Sequence, residues 1–243
     1  MPIKTCFASV DIERDLGAKT FRGVENLDKI LSIFEKNGIP ATLFVTGEVL
    51  QQYPEQFQKL SGSYEIACHG FTHRFWNTLD SQERQKELDD FIVLYQQIFQ
   101  KKPIGFRAPS HIIDQQGIEL LSENGFSYDS SVVPHYPPFK KYRGYKGKAP
   151  LLPYRPAGAN ILEITVAGQF LGIPLAGAWI RRLPVLVYRI LFMIYRPKFI
   201  TLSMHSWDIF DQRFLAKLPL IIKLLEQNQY QFFNGKQIFE NRK

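Results

Sequence analysis

The chain has 243 residues, of which 45% are hydrophobic, and that is enough for a full core in one domain spanning 1–243. A formal net charge of +7 does not by itself argue for nucleic acid, and it suits an anionic substrate or an anionic membrane surface. Cys6 and Cys68 both sit in apolar, strand-like runs, which argues against a disulfide framework and for a reducing compartment. No long apolar stretch precedes Asp11, so no secretory signal is expected and the expected address is the cytoplasm.

Residues 4–10 are a short apolar run of β character that ends in Asp11-Ile12-Glu13. Positions i and i+2 of an extended chain face the same side, so Asp11 and Glu13 point into one space. Residues 26–37 carry Leu27, Ile30, Leu31 and Phe34 at helical spacing and stop at Gly38, a C-terminal cap signal. A buried strand is expected over 41–45, a polar helix-prone stretch over 48–60, and a third strand over 64–68 that delivers His69. Asp80-Ser81-Gln82-Glu83 has the form of a capping box and opens a long amphipathic helix to about residue 100. A fourth strand over 103–106 ends at Arg107-Ala108-Pro109-Ser110, and a helix over 114–124 stops at Gly125. Strands are expected over 127–133, 161–166 and 199–204, the last delivering His205. A helix over 213–228 and a short strand at 231–233 complete the chain.

Strands alternating with helices imply a mainly parallel sheet, and so many repeats suggest a closed or nearly closed α/β barrel. In such barrels the reactive groups lie at the C-terminal ends of the strands. Asp11, Glu13, His69, Arg107, Asp129 and His205 all fall at or near those ends. His69 and His73, four residues apart on one turn or tight loop, can converge on one divalent metal ion, for which neutral imidazole is a good ligand.

The order of Asp-x-Glu after the first strand, His-Gly-Phe-Thr-His after the third, Arg-Ala-Pro after the fourth and Leu202-Ser203-Met204-His205 late in the chain resembles the polysaccharide deacetylase superfamily, the NodB-homology domain of carbohydrate esterase family 4. The resemblance runs from Thr5 to about Phe233. It implies a distorted (β/α) barrel of about seven strands, a bound divalent metal, and hydrolysis of an N-acyl group on a sugar. By this resemblance Asp11 is the catalytic base, Glu13, His69 and His73 are the metal ligands, Arg107 holds the base carboxylate, and His205 is the catalytic acid. A backbone N–H near Ser110 takes the place the family uses for the oxyanion. Asp129 is expected to orient His205 or to bind substrate, with Asp208 competing for the orienting task. The metal expected is zinc, although such a site also accepts cobalt, nickel, manganese or iron.

Two positions depart from the family pattern. Glu13 is one methylene longer than the usual aspartate, which changes reach or denticity. Gly70 replaces the serine or threonine that commonly follows the first histidine, so a bracing hydrogen bond is either missing or supplied by Thr72. His111 and His135 are read as loop residues.

Two stretches bear on the substrate. Residues 134–156 are rich in proline, tyrosine and base and read as a surface loop. Residues 176–196 are apolar on nearly all sides, with Arg181, Arg182, Arg189 and Arg196 around them, and are too short to span a bilayer. They are expected either to be a buried barrel helix or to lie in the face of an anionic membrane, so that the acylated sugar would be lipid-linked. Thr20-Phe21-Arg22-Gly23 resembles the deformylase branch, which gives a formamido sugar as the alternative substrate. A barrel that binds carbohydrate or lipid without catalysis is the alternative of a different class. No nucleic-acid partner is expected.

Overall fold

The computed structural model describes residues 3–134, 149–166, 170 and 173–242. The first strand, β1 (Lys4–Ile12), leads through a short helix α1 (Arg22–Glu25) into α2 (Asp28–Lys36) and β2 (Thr42–Val45). The helix-prone stretch that follows is two helices, α3 (Gly47–Gln52) and α4 (Pro54–Leu60), because Pro54 lacks the N–H that would continue α3 and instead opens α4 as its first residue. β3 (Glu65–Cys68), α5 (Ser81–Phe99), β4 (Gly105–Phe106) and α6 (Gln115–Glu123) come next. The capping box expected at Asp80 is present: its side chain accepts from Glu83 N, and the Glu83 side chain accepts from Asp80 N.

Beyond α6 the strands stay as short as β4: β5 (Tyr128–Asp129), β6 (Leu162–Glu163) and β7 (Leu175–Ala176), the last of which sequence patterning does not anticipate. Two helices, α7 (Gly177–Ile180) and α8 (Val185–Tyr195), precede β8 (Phe199–His205), and α9 (Gln212–Gln227), β9 (Tyr230–Phe233) and α10 (Gly235–Glu240) close the chain. The expected strand over 127–133 ends at Asp129, beyond which Ser130 bonds the Arg107 guanidinium and Ser131 accepts from Ala108 N.

The nine strands of the described residues pair in parallel in one sheet, eight of them in the order β6-β5-β4-β3-β2-β1-β8-β7. β9 pairs with Lys4 to Phe7 of β1, while β2 pairs with Ser9 to Ile12. The sheet is a distorted (β/α) barrel, open between β6 and β7 among the described residues. Beside that gap, Thr201 Oγ1 of β8 donates to the carbonyl of Thr165, just past β6, at 2.8 Å.

β1 shows how the pleat divides the core. Cys6, Ala8, Val10 and Ile12 join the large apolar layer beneath the helices, and Phe7 joins a second cluster with Phe44, Ala67, Tyr128 and Ile238. Ser9 and Asp11 share the face of Phe7, so moving toward the C-terminal end that face changes from apolar to polar. No helix among the described residues is long and apolar enough to cross a membrane.

Candidate metal and acid–base site

Strand register brings the site together. Asp11 of β1 and His205 of β8 are partners across the ladder, and Cys68 of β3 pairs with Phe106 of β4, which sets His69 beside Arg107. Four strand ends thus bring carboxylates, imidazoles and a guanidinium to one end of the barrel.

Arg107 is fully buried, and its guanidinium makes four hydrogen bonds. Nη1 donates to Asp11 Oδ1 at 2.7 Å and Ser9 Oγ at 2.9 Å, Nη2 donates to Ser130 Oγ at 3.0 Å, and Nε donates to the Ser130 carbonyl at 3.0 Å. The Phe44 ring lies 4.1 Å from its guanidinium carbon, so the cation is stacked as well as hydrogen-bonded. Burial works to raise the Asp11 carboxyl, but Arg107, with His69, His205 and His111 beyond it, outweighs burial and holds Asp11 at about 2.

Glu13, His69 and His73 converge as expected, with one ligand atom from each lying within 4.8 Å of the others. Glu13 Oε2 is 3.6 Å from His69 Nε2 and in direct contact with His73 Nε2. The other nitrogen of His69, Nδ1, lies 2.8 Å from the Arg107 carbonyl; donation there fixes the tautomer and leaves the Nε2 lone pair facing inward. Glu13 Oε2 is buried without a hydrogen-bond partner. A proton on one imidazole would serve one of these lone-pair sites, whereas a divalent cation serves all three, so the donor set fits a metal. Burial would raise the Glu13 carboxyl, but the two facing imidazoles outweigh it and hold it far below the usual carboxylate range.

The bracing of this set is not visible in any motif. Glu87 of α5, nearly buried, accepts from Phe71 N at 2.7 Å, Thr72 N at 2.9 Å and the Thr72 hydroxyl. The serine or threonine missing at position 70 is therefore compensated by Thr72 acting through Glu87. Gly70 itself has φ +75°, a conformation that favours glycine over any side chain. On the other side of the site, Trp207 Nε1 donates to Glu13 Oε1 at 3.0 Å, while its ring stacks on His205 with centroids 4.2 Å apart. Trp207 thus ties a candidate metal ligand to the candidate acid.

His205 is about a third exposed, with a side-chain accessibility of 32%, and its Nδ1 lies 3.5 Å from Asp208 Oδ2. That same oxygen accepts from His205 N at 2.9 Å. Burial would lower the imidazole, but Asp208, Asp11 and Glu13 outweigh it and raise it above its ordinary value. Arg181 Nη1 approaches the other Asp208 oxygen at 3.3 Å. A shallow cavity of about 510 Å³ opens here, lined by Asp15, Leu16, Arg181, Trp207 and Phe210 among others.

The remaining expectations fare differently. Asp129 is not beside His205 and is not open to substrate: it is fully buried, accepts from Ser131 Oγ at 2.6 Å, and neighbours the buried Glu163 carboxyl, while the carboxylate beside His205 is that of Asp208. Ser110 is exposed, with φ 55°, in the short turn Pro109–His111 that packs against the metal loop through Pro109 and Gly70. His111, read from sequence as an isolated loop residue, belongs to the electrostatics of the site. Burial first, then Arg107, pushes its imidazole down to about 3, with Asp11, His69 and His205 also acting on it. Thr20 to Gly23 is structural. Thr20 Oγ1, Arg22 N and Gly23 N all donate to Asp15, and a side chain on Gly23 would meet the backbone of Ser206 and Trp207 at 2.8 Å. His135 and the basic residues Lys140, Lys141, Arg143, Lys146 and Lys148 of the expected surface loop lie outside the described residues.

The sequence profile of the polysaccharide deacetylase family matches residues 12–128, which hold Glu13, His69, His73 and Arg107. The chain is 36% identical over 124 residues to the peptidoglycan deacetylase-like protein FGM2 of Gibberella zeae, a match covering 50% of this chain and 37% of that protein. It is 26% identical over 128 residues to the peptidoglycan deacetylase of Helicobacter pylori, covering 52% of this chain and 44% of that one. The chain therefore spans less than half the length of these curated relatives. Among solved structures, PuuE allantoinase has the same fold, with a TM-score of 0.69 at 18% identity over 97% of this chain and 89% of the other. Residues 12–128, from the end of β1 into β5, thus carry the polysaccharide deacetylase family profile, on a fold shared over almost the whole chain.

Proposed function

We propose that the chain is a metal-dependent amide hydrolase that removes the acetyl group from an N-acetylated sugar, with the sugar carried on a lipid. The observation that supports this most directly is the juxtaposition of an ionised carboxylate, Asp11, with a three-ligand donor set and a carboxylate-paired imidazole, His205, on adjoining strand ends. Glu13, His69 and His73 would hold the divalent metal, zinc in the first instance, which supplies Lewis acidity toward the acyl oxygen when bound.

The residues of the chain then divide the proton work. Asp11, kept ionised and aimed by Arg107, takes the proton of the attacking water. His205, raised by Asp208 and the two site carboxylates, is the protonated group that gives its proton to the leaving amine. A backbone N–H in the Pro109–His111 turn, near Ser110, is the protein donor available to the oxyanion. His111, held neutral, adds no positive charge beside Arg107. The free, buried thiols of Cys6 and Cys68 support a reducing, cytoplasmic setting.

The test is release of acetate from N-acetylglucosamine oligomers and from an N-acetylated sugar on a polyprenyl phosphate by the zinc- or cobalt-loaded protein, beside Asp11→Asn prepared identically. Acetate from the parent and its loss in the variant are expected. Formate from a formamido sugar in place of acetate would move the reading to a deformylase. Neither product at full metal occupancy would overturn hydrolysis and leave the non-catalytic binding barrel.

A further inference from the structure

From Ile164 to Trp207 the chain contains no aspartate or glutamate, yet it carries Arg181, Arg182, Arg189, Arg196 and Lys198. α8 lies at the middle of this segment, and its two faces have different fates. Tyr188, Leu191 and Phe192 are buried, Phe192 packing edge-on against Phe170 at 4.9 Å and Tyr230 at 5.6 Å. The opposite face carries Leu186, Ile190, Met193 and Ile194, which are 63%, 46%, 70% and 66% exposed. Their spacing of i, i+4, i+7 and i+8 makes one continuous apolar stripe along the helix. Across a groove of about 360 Å³, the stripe continues to Leu220 of α9, itself 52% exposed, with Arg189 and Lys223 on the groove walls.

Scattered exposed apolar residues are ordinary, but a contiguous stripe bordered only by cations on its own segment is not. α8 has 11 residues, about half of what a spanning helix needs. A helix that presents bulky aliphatic side chains between arginines instead has the chemistry of one lying in the plane of an anionic bilayer.

We propose that α8 seats the protein on an anionic membrane surface, with Leu186, Ile190, Met193 and Ile194 entering the interface and Arg189, Arg196 and Lys223 meeting lipid phosphates. The consequence for chemistry rests on the hydrolase reading. Arg181, at the junction between α7 and α8, ion-pairs with Asp208 and lines the cavity that Trp207 borders, so the docked segment runs directly into the entrance of the site. A sugar on a lipid carrier could then reach that cavity while its carrier stays in the bilayer.

Co-sedimentation of the full chain with phosphatidylcholine vesicles, with and without phosphatidylglycerol, tests the seat. The parent should pellet with the anionic vesicles and be released by high salt. Ile190→Glu with Met193→Glu should lower the partition coefficient by about tenfold or more, and Arg189→Ala or Lys223→Ala by about fivefold each. These side chains are exposed, so unchanged circular dichroism and melting temperature are expected of the variants. His69→Ala, which should lose metal and activity, should pellet like the parent, so failure of the hydrolase reading would be seen separately from failure of the seat. No pelleting of the parent, or equal pelleting of the Ile190→Glu, Met193→Glu variant, would overturn the proposal. It would also be overturned if light scattering found the parent to be a dimer that this variant dissociates, since the stripe would then be covered by a second copy.

Discussion

Trp207→Phe tests one bond. The variant keeps an aromatic ring against His205, though a smaller one, and deletes the indole N–H that Glu13 Oε1 accepts at 3.0 Å. Glu13 is nearly buried, so the freed oxygen has poor access to water in place of the indole. A hydrogen bond to a charged group is worth about 1.5–3 kcal/mol, and losing a partner that orients a metal ligand typically costs about ten- to a hundredfold in metal affinity. These ranges agree, since 1.4 kcal/mol is about one decade. The zinc Kd of Trp207→Phe, measured by competition with a chelator of known affinity, should therefore rise by about ten- to a hundredfold. Glu13→Asp shortens the carboxylate so that it cannot span the indole and both imidazoles, and the two substitutions together should cost less than the sum of each alone. A Trp207→Phe protein with parental zinc affinity and parental melting temperature would refute the reasoning, because the bond would then neither orient the ligand nor stabilise the fold.

Two further substitutions probe the support of the site. Glu87→Gln replaces an acceptor of three hydrogen bonds with a group whose amide end meets N–H donors, so at least one bond to the metal loop is lost. We expect about 2 kcal/mol lower stability, read as a melting temperature about 4–8 °C lower. Asp208→Asn removes the closest charge raising His205, and in the metal-free protein the His205 imidazole followed by NMR should titrate at lower pH than in the parent. The sign is fixed by linkage: a raised imidazole stabilises the fold fully below its unfolded value and loses that contribution as pH rises through the folded one, so the variant should lose parental stability most at low pH.

The alternation of strands and helices and the residues at the strand ends were legible because they are local: one run, one cap, one motif each. Asp11, Glu13, His69, His73, Arg107 and His205 each lie at or just past the end of a strand. What escaped depends on partners far apart in sequence. Trp207 reaches Glu13 across 194 positions and Glu87 reaches Thr72 across 15, and neither leaves a periodic trace. β7 is two residues long, too short for alternation to register. Asp129 illustrates the opposite error. An aspartate at a strand end looked available to the site, but it turns to Glu163, a partner that sequence gives no reason to choose. His111 looked isolated because its relations are electrostatic and run to residues on three other segments.

The Asp129–Glu163 pair also bears on why Asp11 stays ionised. Both carboxyls are fully buried behind Arg107. Burial raises Glu163 well above its ordinary value, the adjacent Asp129 charge raises it further, and Asp129 is itself raised by burial. Each carboxyl thus disfavours ionisation of the other, as expected when two acids share a dry space. The consequence reaches Arg107 through neighbouring residues: Ser131 bonds Asp129 and receives Ala108 N, and Ser130 bonds the guanidinium. Were both acids ionised, the single buried guanidinium would be shared among three carboxylates. The bond it makes goes to Asp11, and the raised pair behind the barrel end and the depressed carboxyl in front of it belong to one charge balance.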